Sequence, residues 1–160
     1  MGHFGVYPKT GYQDTEKKYV EANDFYIGKA PERASNITVE GFPFLAGEIV
    51  LSQKVTFDKK NILLQVAGDY QMAKVTVNGV EKSTLLFDKE VDISDVAVVG
   101  ENEIQIRFWI SNRNLRGPHH VICPKDWGVS PWSFELAGTW EEDKNEYYHD
   151  SYDLKLFYER

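Results

Sequence analysis

Met72-Ala73-Lys74-Val75-Thr76-Val77-Asn78-Gly79-Val80-Glu81-Lys82-Ser83-Thr84-Leu85-Leu86-Phe87 is the stretch on which the fold of this chain turns. Up to Val77 it alternates, with Ala73, Val75 and Val77 on one face and Lys74 and Thr76 on the other, the period of a half-buried strand. Asn78-Gly79 follows at once. Both central positions of a type I′ turn need positive φ, which Asn and Gly adopt at least cost, so the pair predicts a two-residue hairpin with Val80 to Phe87 as the returning strand.

Working outward, strand signals recur at short intervals on both sides. Glu48 to Phe57 sets Ile49, Leu51, Val55 and Phe57 on one face against Glu48, Ser52, Lys54 and Thr56 on the other, with Gln53 interrupting the apolar row. Asn61 to Ala67 is a more continuous apolar run closed by Gly68-Asp69, and Glu90 to Ser94 is a short extended piece. Gly100-Glu101-Asn102 is expected to turn the chain into Glu103 to Ile110, where Ile104, Ile106, Phe108 and Ile110 face one way and Gln105, Arg107 and Trp109 the other. Further strands are expected at Trp132 to Trp140 and Tyr152 to Tyr158, and a single helical turn over Asp95 to Val99. Many short strands joined by turn residues, with no helical period sustained over three turns, predict an all-β chain folded as an antiparallel β-sandwich or barrel.

Residues 1–35 are different in texture, mixing Gly, Tyr and charge without period. They read as an irregular arm with one short strand around Phe25 to Ile27. Phe4, Tyr7, Tyr12, Tyr19, Phe25 and Tyr26 give the arm enough apolar surface to pack on the body, a β-sandwich domain over residues 36–160.

Composition narrows the function classes. The 160 residues are 42% hydrophobic and 14% aromatic, enough apolar surface to offset the entropy of ordering. A net charge of -7 without any long Lys/Arg block would repel a phosphate backbone, which excludes nucleic acid as the expected partner. No apolar run is long enough for a membrane helix, and Met1 to Pro8 lacks the basic start and apolar stretch of a signal peptide. With Cys123 the sole cysteine, no internal disulfide forms, and the reading favours the cytoplasm. Asn36-Ile37-Thr38 has the form of a glycosylation sequon, which matters only in a glycosylating secretory pathway.

Several segments taken together resemble one known family. Gly41-Phe42-Pro43-Phe44-Leu45-Ala46-Gly47-Glu48, Val75-Thr76-Val77-Asn78-Gly79-Val80, Val91-Asp92-Ile93-Ser94, Gly100-Glu101-Asn102-Glu103-Ile104 and Leu115-Arg116-Gly117-Pro118-His119-His120 occur in this order. In order and spacing they resemble the galactose-binding-like β-sandwich attached to large bacterial glycoside hydrolases of the family 2 and α-L-rhamnosidase kind, over about Asn36 to Tyr158. The resemblance implies a jelly roll that serves as an accessory module, with the catalytic carboxylates on another domain, commonly a barrel. The arm would then be a linker and interface strand. It also leaves room for a structural calcium held by loop carbonyls and carboxylates, with no other cofactor. A chain of 160 residues has no space for a barrel, so an excised domain or a free-standing relative is expected.

The densest polar segment is Ser111-Asn112-Arg113-Asn114-Leu115-Arg116-Gly117-Pro118-His119-His120. Sugars are recognised by flat apolar surface for their C–H faces and planar polar groups for their hydroxyls. Trp109, Trp127, Trp132 and Trp140 supply the first, with Trp109 and Trp127 the better exposed, and Arg107, Asn112, Arg113, Asn114 and Arg116 the second; His119 and His120 are expected to fix the Gly117-Pro118 turn, with the arginines pairing with nearby carboxylates, or else to join the ligand contacts. Trp132 shares a strand face with Phe134 and Leu136 and is assigned to the core. His119, His120 and Cys123 fall short of a tetrahedral metal set on ligand count, adjacent histidines pointing apart on extended backbone. No acidic loop shows calcium-loop spacing. The expected partner is therefore carbohydrate, or the catalytic domain of a parent hydrolase. Two alternatives stand beside it: a structural interdomain or self-association module without ligand, and a small stand-alone glycosidase. For the last, Glu48, Asp69 and Glu135 are the carboxylates on offer, with no pair singled out by spacing.

Overall fold

The structure, a computed structural model, describes residues 3–14, 19–32, 35–116, 119, 131, 147–152 and 154–159. The strand expected at Trp132 to Trp140 lies outside them. In chain order the strands are β1 (Phe4–Pro8), β2 (Gln13–Asp14), β3 (Tyr19–Glu21), β4 (Phe25–Lys29), β5 (Gly47–Phe57) and β6 (Leu63–Gly68). There follow β7 (Met72–Val77), β8 (Val80–Leu85), β9 (Glu90–Asp92), β10 (Gly100–Ile110), β11 (Tyr148–Asp150) and β12 (Leu154–Glu159). Every pairing among them is antiparallel. The chain is all-β, as its alternation predicts, with antiparallel sheets of the β-sandwich type. It divides into two compact units, Met1–Leu45 with Asn112–Ser151, and Ala46–Ser111 with Tyr152–Arg160.

The second of these units has two sheets, ordered β5-β10-β7-β8 and β12-β6-β9. Its core is the sum of the apolar rows: Ile49, Val55 and Phe57 of β5, Ala73, Val75 and Val77 of β7, and Ile104, Ile106, Phe108 and Ile110 of β10 are buried. Leu64 and Val66 of β6, Val91 of β9 and Leu154 of β12 are buried in the other sheet. Each such side chain contributes roughly 1.5–3 kcal/mol when fully removed from water. Gln53 stands in the apolar row of β5, opposite Ile104, and is exposed, because β5 borders its sheet among the described strands and its row reaches solvent there.

Two buried or turn-bound amides organise the loops of this unit. Asn78 (φ 50) and Gly79 (φ 81) form the hairpin turn with the positive φ pair expected of it. Asn78 Nδ2 donates to Asn102 Oδ1 at 2.9 Å and to the Val96 carbonyl at 3.0 Å, and its Oδ1 accepts from the Glu103 N–H at 3.0 Å. Asn102, only 1% exposed, donates from Nδ2 to the carbonyls of Val98 and Gly100 and accepts the Val98 N–H at 2.8 Å. The segment expected as a turn, Gly100-Glu101-Asn102, is instead the start of β10, in register with Phe57, Thr56 and Val55. The turn lies before it, where the Val96 and Ala97 N–H groups bond back to the Ile93 carbonyl; it covers residues 94–96 and no helix forms over Asp95 to Val99, where the sequence predicts a single helical turn. Asp92 Oδ1 accepts both the Ser94 N–H and its hydroxyl, and Ser94 Oγ accepts the Ile62 N–H at 3.1 Å. β9 thus ends in a turn from Asp92 to Ser94 that seats fully buried Ile93.

In the first unit β1 pairs with β4, and β3 lies between β11 and β2. Where the sequence predicts one strand in residues 1–35, the structure has four. Strands of two to five residues are too short to display alternation. The β1–β4 ribbon is held by an aromatic over glycine. Gly5 pairs with Gly28, and a Cβ added at Gly5, Gly28 or Gly41 would meet the Tyr7 side chain at 2.5, 3.0 and 2.9 Å. The bare backbone lets the ring lie flat on the ribbon, and its hydroxyl donates to the Lys29 carbonyl at 2.8 Å. Thr38, fully buried, donates to the Asp150 carbonyl at 2.7 Å.

Replacing Asn102 by Ala strips partners from the Val98 N–H and carbonyl, the Gly100 carbonyl and Asn78 Nδ2. We expect Asn102→Ala to lower unfolding free energy by about 3 kcal/mol in urea titrations. Gly79→Ala meets open space and should lower it by about 1 kcal/mol, the backbone term alone.

Candidate functional site

The solvent side of the β5-β10-β7 lattice carries two of the candidate residues, Trp109 and Arg107. Antiparallel register sets them in rows: Glu48, Trp109 and Met72, then Val50, Arg107 and Lys74, then Ser52, Gln105 and Thr76. Trp109 is half-buried and Arg107 exposed, two residues apart on one strand and so on the same face. The Arg107 guanidinium donates to Glu48 at 2.9 Å, and Lys74 pairs with Glu81 at 2.7 Å. Gln105 Nε2 donates to Ser52 Oγ at 3.3 Å. Val50 is 42% exposed among these polar groups. Such exposed ion pairs contribute little to stability; their effect is to cancel charge on the face.

The remaining candidates that the structure describes belong to the other unit. Asn112 is exposed, Arg113 half-buried and Asn114 buried at the start of a 3-10 turn, Asn114–Arg116. Asn114 clamps the β11 backbone: its Nδ2 donates to the Asp150 carbonyl at 2.9 Å and its Oδ1 accepts the Asp150 N–H at 2.8 Å. Arg113 Nε lies 3.0 Å from Asp150 Oδ2, and His119 Nε2 is 4.0 Å from Oδ1. His119, 1% exposed, pairs through its backbone with Tyr148 in both directions. Arg113, Asn114 and His119 thus converge on one residue, Asp150. His120 and Trp127 lie outside the described residues, as does the Arg116 side chain. Among the described residues no group of three His, Cys, Asp or Glu side chains is placed to hold a metal ion, and no helix is long and apolar enough to cross a membrane.

Sequence reasoning passed over Asp150, the hub of this cluster, and His149 beside it. A histidine in a three-residue strand offers no periodic signal, and only the tertiary structure shows its cage. The His149 ring lies 5.5 Å from both Phe25 and Phe44, edge-on to each, and those two rings are 5.1 Å apart. The sequon residues also belong to the fold, with Asn36 Nδ2 donating to Ser151 Oγ at 2.6 Å.

No protein-family profile matches the chain. None of the curated proteins compared with it matches either. Similar solved structures are glycoside hydrolases. A rhamnosidase from Novosphingobium sp. PP1Y is 18% identical over 69% of this chain and 10% of its own, with a TM-score of 0.43. A β-D-mannosidase from Dictyoglomus thermophilum is 18% identical over 68% of this chain and 15% of its own, at 0.38. A β-D-glucuronidase from the same organism is 14% identical over 98% of this chain and 26% of its own, at 0.40. The chain therefore spans only 10 to 26% of the length of these structures, and at such identity and superposition the likeness carries no information on substrate.

Burial pushes the His149 imidazole down from 6.5 to about 4. No described residue meets hydrogen-bond geometry at either ring nitrogen; the Ala22 backbone favours the protonated ring enough to offset only part of the burial effect. Between about pH 6.5 and 4 the unfolded chain therefore binds more protons than the folded one, so this contribution is full above the window and shrinks as pH falls through it. The loss should be on the order of 3 kcal/mol. Urea titrations across this range should show it in the wild type, and His149→Phe, which keeps the aromatic cage, should remove it.

Proposed function

We propose that this chain is a non-catalytic accessory domain of a glycoside hydrolase, of the galactose-binding-like kind its segments resemble, that contacts carbohydrate through the solvent side of β10. The observation that carries the reading is Trp109 on the polar side of β10 beside Arg107. A large aromatic there is left half out of water at a cost that core packing would remove, while its ring offers an apolar platform for a sugar and the guanidinium offers donors in a fixed plane. Glu48, beside them, is engaged by Arg107 in an ion pair, which holds the guanidinium plane in place.

A second reading, the ligand-free structural module, is favoured by one observation. Leu86 and Phe87, between β8 and β9, are 54% and 95% exposed. Adjacent apolar side chains held in water at a loop tip mark a contact surface for another domain or a second copy.

Tryptophan fluorescence during titration with galactosides, rhamnosides, mannosides and plant oligosaccharides should show a saturable change that Trp109→Ala abolishes without lowering Tm by more than a few degrees. Silence toward every sugar overturns carbohydrate binding. Under the structural reading the same titrations stay silent and sedimentation velocity shows association that Phe87→Ser reverses.

A further inference from the structure

The face around Trp109 extends well beyond the two side chains that draw attention to it. Ser52, Gln105 and Thr76 stand in register across three strands, and Thr84 continues the face onto β8, opposite Lys74. These four are uncharged hydrogen-bonding groups, spaced by the strand separation of about 4.8 Å across the sheet, with rows about 6.8 Å apart along it. Donors and acceptors at that spacing are wasted on a point ligand and suit one that repeats.

The charge pattern selects among repeating ligands. On this face Arg107 is matched by Glu48 and Lys74 by Glu81, at 2.9 and 2.7 Å. Beyond them Lys54 pairs with Glu101 at 2.8 Å and Glu103 stands opposite Lys54, so every described cation of the face is already paired and a polyanion would have to displace an existing pair, while the one further anion is too little to hold a polycation. Apolar contact is available at two points, Trp109 and Val50, in adjacent rows and on adjacent strands. A ligand matched to this surface is neutral, rich in hydroxyls, apolar on its ring faces and longer than one ring. We infer that the solvent side of β5, β10 and β7 is a binding strip for a neutral oligosaccharide chain, with Trp109 and Val50 under the sugar rings and Ser52, Gln105, Thr76 and Thr84 bonding their hydroxyls. The inference rests on the carbohydrate-binding reading and adds to it the extent of the site, the residues beyond Trp109 and Arg107, and the class of sugar.

The strip is flat, so affinity accumulates ring by ring. Isothermal titration with a length series of neutral oligosaccharides should show affinity rising about tenfold or more from mono- to tetrasaccharide. The double variant Gln105→Ala/Thr76→Val should weaken the longest member about tenfold, the scale expected for losing two exposed hydrogen-bonding groups. Backbone amide shifts of Ser52, Gln105 and Thr76 in the wild type should move on saturation, a readout independent of whether the variant folds. Sugar binding that vanishes in Trp109→Ala, yet is unchanged in the double variant and leaves those amides unmoved, overturns the strip and keeps the carbohydrate-binding reading. Preference for uronic-acid or sulfated oligosaccharides over neutral ones overturns the ligand class. Absence of binding to any sugar overturns both the strip and the reading beneath it.

Discussion

The carboxamides of Asn78 and Asn102 meet at 2.9 Å, and much of the Ala46–Ser111 segment is arranged around that contact. One belongs to the hairpin turn between β7 and β8, the other to the first residues of β10, and between them they bind backbone groups of Val96, Val98, Gly100 and Glu103. The Asn102 amide uses both its donor hydrogens and both acceptor sites of its oxygen are occupied, which is why it tolerates burial at 1% exposure. An apolar residue there would leave the turn's own N–H and carbonyl groups without partners. The contact lies at the start of β10, whose ladders to β5 and β7 carry the register on to Trp109 near its far end.

From that anchored strand the chemistry divides by face. One side of β10 is Ile, Ile, Phe and Ile, buried; the other is Glu, Gln, Arg and Trp, set against Lys54, Ser52, Val50 and Glu48 of β5 and Thr76, Lys74 and Met72 of β7. A rigid sheet holds its side chains at fixed spacing without loop ordering to offset on binding, which is the general advantage of placing recognition groups on strands. Arg113, Asn114 and His119 gather around Asp150 in the other unit. There the amide of Asn114 is committed to backbone.

The strands that alternate over six or more residues were legible in the sequence. β7 matches its expected limits to the residue, and β5 and β10 differ from theirs by one and three residues at the start. The Asn-Gly hairpin was equally clear, because turn chemistry is local. What stayed hidden was whatever depends on distant partners. β1, β2, β3 and β11 are short and take their stability from pairing, as in Tyr7 lying over Gly5 and Gly28. Asn102 read as part of a turn because Gly-Glu-Asn is turn-like in composition, while its actual work is tertiary. Of the candidate residues, Trp109 was visible as an aromatic on a polar face and Arg107 as a planar polar group beside it. The register that sets Ser52 and Thr76 in the rows beside them depends on strand pairing, and the hub at Asp150 depends on groups that are 31 to 112 residues away in the chain.

The division of the chain into units has a consequence for how it is made. Each unit is assembled from segments that are not contiguous: residues 1–45 with 112–151, and 46–111 with 152–160. β3 finds its partner in β11, and β6 finds one in β12. Neither unit is complete until residues 148–159 have been made, although β5, β7, β8 and β10 can pair without them; the edges left open are those of β3 and β6. Closures over such long sequence separations slow folding and lengthen the time for which unpaired strand edges are open to aggregation.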